Sequence, residues 1–388
     1  MFELWLKTYS PTGNVPLRTI SVVVSLLASI VFSGCVDPTL VVATEQALAS
    51  PYRLFIPSVG DAGAVAGGPP QLFLPLVIDY TAPPDTESFY MKTVDSNTLA
   101  VMGCGLGIRD SDLPGAQDSF VILDFGNPHP GGGAWMFGYG PVSTEEIASA
   151  IQFYAWGYYS CLGEDLASHL WIGVGTNNYC GPVRNPTCAG YNVTPEHGQG
   201  WAEMVNLIND WLIVNGLFNQ VSAAGANDLE VGWATPATSR GWVDGYDQSN
   251  NWQLYHFGDA AGCPPVPGGD CGTSKYPEWT EEDVWYIAWG APPSIPTPLI
   301  YANSGIHAKQ WYSLSLYSYL THGERMDFAA AITQYKACLQ RPSDLCNLLD
   351  NTPYEGWLQL FSAVHSDSRT DQTIDWATDL QWYGELFP

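Results

Sequence analysis

Basic residues are scarce: 13 Lys and Arg stand against 39 Asp and Glu, for a formal charge of −26 over 388 residues. No Lys/Arg patch exists that could release phosphate counterions, which argues against nucleic acid as a partner. The punctuation of a zinc site is missing as well. There is no Cys-x-x-Cys and no His-x-His, and the seven histidines are scattered. The triplet Gly131-Gly132-Gly133 lacks the spacing of a dinucleotide or P-loop motif. No cofactor and no metal are therefore expected. The leading apolar run, residues 20–32, is too short for a comfortable membrane span. An acid-rich chain of this kind suits export, or the handling of neutral or cationic ligands.

What is present is a core. Hydrophobic residues make up 46% of the chain and there are 16 Trp, enough for one large domain or two ordinary ones. Lys7 and Arg18 precede the apolar run, which exits through Ser33-Gly34-Cys35. That is a secretory signal, and Val31 to Cys35 resembles a lipobox with Cys35 as the lipidated residue. The expected division is a signal peptide over 1–34, a Pro/Gly/Ala-rich linker over 35–89 and a folded domain over 90–388.

The remaining eight cysteines agree with export. Cys180 and Cys188, Cys263 and Cys271, and Cys338 and Cys346 share one eight-residue spacing, each pair enclosing loop-like sequence. Local disulfides are the economical reading, and Cys104 and Cys161 then pair by elimination.

From Phe120 the chain alternates short apolar runs with amphipathic ones, about seven strand–helix units without a central linker. Such alternation implies parallel strands with crossover helices. The expected fold is α/β: a single (β/α)8-like, TIM-type barrel, complete or with an irregular closing strand. The stretch 95–118, with Met-Gly-Cys-Gly-Leu-Gly inside it, reads as a lead-in with a turn, and 242–251 as an aromatic loop.

In such a barrel the strand C-termini converge on one mouth. They contribute Asp124, Asn177, Asp228, Glu230, Asp259, Asn303, Gln334 and Asp379. Asp228 and Glu230 sit about 7 Å apart on one strand face, with Leu229 opposed. Mutual repulsion favours keeping one of them protonated, as a general acid requires. Trp135, Trp233, Trp242, Trp252, Tyr255 and Tyr301 are aromatic candidates to line the mouth, although most of the tryptophans must be structural. Paired carboxylates with stacking faces are the apparatus of glycoside hydrolysis.

The pieces VILDFG (121–126), AGANDLEVGW (224–233), PLIYANSG (298–305) and AITQY (331–335) resemble an uncharacterised family of exported bacterial proteins with a glycoside-hydrolase-like barrel, over roughly residues 90–388. More loosely, a first-strand Asp with a later Asp-x-Glu is similar to the muramidases of the glycoside hydrolase 25 group. That resemblance implies a site of Asp124, Asp228, Glu230 and the late-strand Asp379. It also implies that Glu230 is the acid, with a substrate N-acetyl group as internal nucleophile. Trp233, Trp252, Tyr255, Tyr301 and Asn303 are the expected substrate contacts. The expected function is a surface-tethered or secreted glycosidase acting on a cell-wall or environmental polysaccharide. It would be monomeric and would touch the membrane only through its lipid. Two rivals stay open: a non-catalytic glycan-binding barrel, and a hydrolase using Asp124, Asp228 and Asp259 on a hard cation.

Overall fold

The structure, a computed structural model, describes residues 52–55, 77–80, 82–343 and 346–386. The signal segment and Cys35 lie outside the described residues. The chain divides into two compact units, residues 1–80 and 81–388. In the first, β1 (Tyr52–Phe55) pairs antiparallel with β2 (Val77–Tyr80).

The second unit is the barrel. It opens with β3 (Asp85–Tyr90), inside the stretch expected to be linker, so the folded domain begins upstream of residue 90. The strand is easily overlooked because its inward positions are hydroxyls. Thr86 donates to the Phe120 carbonyl, and the Ser88 hydroxyl bonds Thr378 and accepts from the Ile122 amide. Next comes α1 (Ser96–Asp112), capped by Asp95. It runs straight through the glycines expected to form a turn. A Cβ on Gly103 would lie 2.0 Å from the Tyr154 carbonyl, and one on Gly107 2.4 Å from that of Tyr158. The glycines thus let α1 approach the next helix, α2 (Thr144–Cys161), rather than break it. Between the two helices run β4 (Asp118–Asp124) and a small antiparallel sheet of β5 (Asn127–Pro128), β6 (Ala134–Met136) and β7 (Gly140–Val142).

The alternation continues through β8 (His169–Asn177), α3 (Pro195–Val214), β9 (Val221–Asp228) and α4 (Pro236–Ser249). Helix α4 replaces the expected aromatic loop. Thr235 caps it, and Trp242 and Tyr246, one turn apart, bury their rings. Then follow β10 (Leu254–His256) and α5 (Glu281–Trp285), which runs on as a π-helical turn. After these come β11 (Ser294–Pro296), α6 (Ile306–His322), β12 (Ala330–Thr333), α7 (Tyr335–Gln340), α8 (Pro353–His365) and β13 (Trp376–Trp382).

Eight of these strands form one parallel sheet in the order β11-β10-β9-β8-β4-β3-β13-β12. Its ends meet through a bridge between Leu299 and Ile332, with Ile300 donating to the Ile332 carbonyl at 2.7 Å. The barrel is therefore nearly closed, and the irregular strand is the one rich in proline. Pro296 and Pro298 supply no ladder donors, so the expected strand at 299–303 shrinks to a bridge.

Two apolar layers follow from strand alternation. Phe120, Ile122, Ala224, Ala226, Tyr255 and Leu380 fill the barrel interior. Val121, Leu123, Ala223, Leu229 and Ala377 face the helices. Leu229 thus packs outward, and Asp228 continues the inward row of Ala224 and Ala226. Disulfides join 104–161, 180–188, 263–271 and 338–346, the first stapling α1 to the end of α2.

Candidate active site at the barrel mouth

The ends of β4, β9 and β10, with β8 between the first two, place carboxyl groups inside the mouth. Asp124 closes β4 and is 1% exposed; its Oδ1 accepts from the Gly126 amide at 2.9 Å. Gly175, on the neighbouring strand, makes room for it, since a Cβ there would lie 2.9 Å from the Asp124 Cα. Burial pushes the Asp124 carboxyl up to about 7. Asp228 closes β9 at 4% exposure, and its Oδ1 has no hydrogen-bond partner. Burial, then the charges of Asp124 and Asp259, hold it well above the usual carboxylate range.

Glu230 lies two residues beyond the end of β9 and is half-buried. Burial raises its carboxyl too, followed by Asp259 and Asp228. Its backbone is gripped by Asn178, whose Oδ1 accepts from the Glu230 amide and whose Nδ2 donates to the Glu230 carbonyl, both at 3.0 Å. Asn178 also donates to Ser239 at 2.9 Å. The Asp-x-Glu bend is thus fixed from the adjacent strand end.

Asp259, after β10, accepts from Tyr301 Oη at 2.5 Å and from the Ala261 amide at 2.9 Å. His307, at the start of α6, stands edge-on to Tyr301 at 4.4 Å, and its Nδ1 has no hydrogen-bond partner. An aromatic wall adjoins the acids. Burial, then the charges of Asp228, Asp124 and Glu230, raise the Tyr90 hydroxyl well above the ordinary value. Its ring lies 4.5 Å from Trp382 and 5.5 Å from Phe137. Arg341 covers Trp382 at 3.4 Å and is itself paired with Glu385.

The expected site residues divide. Asp124, Asp228, Glu230, Asp259 and Tyr301 come together at the mouth. Asp379 does not, because it falls on the odd-numbered, outward face of β13. There it accepts from Thr333 Oγ1 at 2.6 Å and from the amides of Tyr335 and Lys336 at 2.8 and 2.9 Å, anchoring the start of α7. Asp124 belongs to the second barrel strand, not the first. Trp252 packs on Phe218 at 5.2 Å at the N-terminal rim, the opposite end from the mouth. Tyr255 is interior core, edge-on to Phe120 at 5.0 Å. Trp242 is buried in α4, where Nε1 donates to His197 Nδ1 at 2.9 Å. Trp135 is exposed beside His129. Gln334 is the residue before α7. Asn303 is tied to Asp350, 2.6 Å away, in a separate polar cleft of about 400 Å³. Asn177 donates to Asn127 at 2.9 Å and accepts from the Tyr179 amide at 3.0 Å. Trp233 is half-buried against Tyr179 at 5.8 Å, its amide donating to the Glu230 carbonyl.

Tyr90, Phe137, Asn178, His307 and Trp382 were not among the candidates. Trp382 carried a signal, being in phase with Leu380 and Trp376 on the inward face. Tyr90 was hidden by the polar character of its strand.

Among the described residues no group of three or more His, Cys, Asp or Glu is placed to hold a metal ion, and no helix is long and apolar enough to cross a membrane. The several disulfides indicate an oxidising, extracellular type of environment. No protein-family model matches the chain, and comparison with curated proteins returns no match.

Proposed function

We propose that the barrel is a glycoside hydrolase with Glu230 as its general acid. One observation carries this reading: Asp228 and Glu230 lie inside a ring of acids at the C-terminal mouth of a (β/α)8-like barrel, beside the aromatic wall of Tyr90, Phe137 and Trp382. A carboxyl raised by burial and like charge keeps its proton to higher pH than an ordinary one and can deliver it to a glycosidic oxygen. Asp228 supplies the like charge and Asn178 the orientation. Asp259, which accepts two hydrogen bonds, is the partner carboxyl facing the positive charge that develops on the sugar ring. The Asp-x-Glu pattern read from the sequence is in keeping with these roles for Asp228 and Glu230; Asp379 is left out of the mechanism.

The chain is proposed to act outside the cell, tethered by a lipid on Cys35 or released by signal cleavage, with a cell-wall or environmental polysaccharide as substrate. A screen of polysaccharides for new reducing ends tests the activity. Wild type should release them, while Glu230→Gln, nearly isosteric, should not and should still fold. Full activity in that variant would remove Glu230 as the acid.

A second reading, a glycan-binding barrel without turnover, draws on the burial of Asp124 and Asp228. It also draws on the two clefts at Asp85/Tyr354 and Asn303/Tyr335, neither of which is lined by those acids. Glycan binding without release of reducing ends would favour it.

A further inference from the structure

The mouth has an unbalanced charge. Among the described residues, none of Asp124, Asp228, Glu230 and Asp259 forms an ion pair with a Lys or Arg. The nearby cations Lys92 and Arg341 are both engaged by Glu385. Asp228 is the sharpest case. It is 4% exposed, continues the inward row of Ala224 and Ala226, and has an Oδ1 with no donor at all. A buried carboxyl in that state is costly unless something brings a donor to it. The aromatic side chains beside the acids select further: Trp382 already carries Arg341 on its ring, and Tyr90 and Phe137 add π surface of the kind that attracts cations and packs on sugar rings.

We propose that the mouth recognises the protonated amine of a free amino sugar, so that the substrate is a glucosamine-type polymer and not its N-acetylated form. This rests on the glycosidase reading and names its substrate class. An ammonium offers three donors and a full charge to the acids around Asp228. An acetamido group offers a single N–H and no charge, so it does not compensate the ionisation of these buried acids. The charge of −26 over the whole chain draws a polycation toward the mouth.

Proton release is the signature. The groups facing Asp228 are Tyr90, Asp124, Glu230, Asp259 and Tyr301, with His307 beside Tyr301. Burial and mutual repulsion favour the protonated forms of Asp124, Asp228 and Glu230. An arriving ammonium favours the carboxylate forms, so binding expels protons. A neutral sugar has no such effect.

The experiment is isothermal titration calorimetry at pH 6 on the whole chain carrying Glu230→Gln, so that nothing is cleaved. The probes are a glucosamine tetramer and an N-acetylglucosamine tetramer, in two buffers of different ionisation enthalpy. The amino tetramer should bind at least tenfold tighter, with an enthalpy that changes with buffer in the sense of proton release, and should weaken as salt is raised. Asp228→Asn, also nearly isosteric, should remove most of the preference. Equal or tighter binding of the N-acetylated tetramer, or binding without proton release, overturns the proposal. If wild type cleaves an acetylated or neutral glycan, this inference fails and the glycosidase reading stands. If the amino tetramer binds with proton release but no glycan is ever cleaved, the cation site stands and the glycosidase reading fails.

Discussion

Asp124→Asn should make the protein more stable, and increasingly so as pH rises. The substitution is nearly isosteric, and the Asn Oδ1 can keep the 2.9 Å hydrogen bond from Gly126. Its new N–H group faces a cluster rich in acceptors. What disappears is the ionisable group, whose carboxyl burial raises from 3.8 to about 7 in the folded chain. Between those values the unfolded chain has given up its proton while the folded chain has not. Wild-type stability therefore declines as pH rises from 3.8 to about 7 and is flat beyond. A shift of roughly three units corresponds to about 4 kcal/mol fully expressed at pH 8, and somewhat under half of that at pH 5. Urea unfolding of the disulfide-intact proteins at pH 5 and pH 8 measures the difference. The variant should gain about 2 kcal/mol at the lower pH and about 4 kcal/mol at the higher. An equal gain at both, or a loss at pH 8, would refute the argument that this acid is held in the mouth at a cost to folding.

Further outcomes follow from the packing. Gly103→Ala, which sets a Cβ 2.0 Å from the Tyr154 carbonyl, should cost about 1–3 kcal/mol in thermal or urea unfolding. Gly105→Ala on the open side of the same helix should instead gain up to about 1 kcal/mol. His197, buried between the Gly133 carbonyl and Trp242, is lowered from 6.5 to about 4. Its neutral form contributes about 3 kcal/mol above pH 6.5 that is lost as pH falls toward 4, read as the difference between wild type and His197→Gln across that range. Asn178→Ala removes both bonds to the Glu230 backbone and should lower kcat more than it raises KM, with a stability loss of about 1–3 kcal/mol.

Much of the barrel was legible because most of its strands are apolar runs ending in an acid, an amide or a glycine. The strand phase at Leu229 was legible for the same reason: period two, with small residues inward. The missing parts have physical causes. β3 keeps Thr86 and Ser88 on its inward side, where they replace ladder bonds to β4, so no hydrophobic run marks it. In α1 the glycines are contact residues for α2, and a turn reading follows naturally when the partner helix is unknown. Whereas Asp124 closes β4 facing inward, Asp379 lies in the middle of β13 and on its outward face. Only the register of β13 against β3 and β12 shows that it faces α7. Trp252 and Tyr255 failed as mouth residues because an aromatic side chain in a strand does not reveal its height along the barrel axis.

The most direct test of the central claim is the alkaline limb of the pH–rate profile on whichever glycan the wild type cleaves. If Glu230 gives the proton, kcat falls as pH rises past the value to which burial, Asp259 and Asp228 have lifted its carboxyl. Asp228→Asn removes one of those charges and should move that limb to lower pH without abolishing turnover. A limb that stays in place in Asp228→Asn, or that persists in Glu230→Gln, would contradict the assignment of Glu230 as the acid.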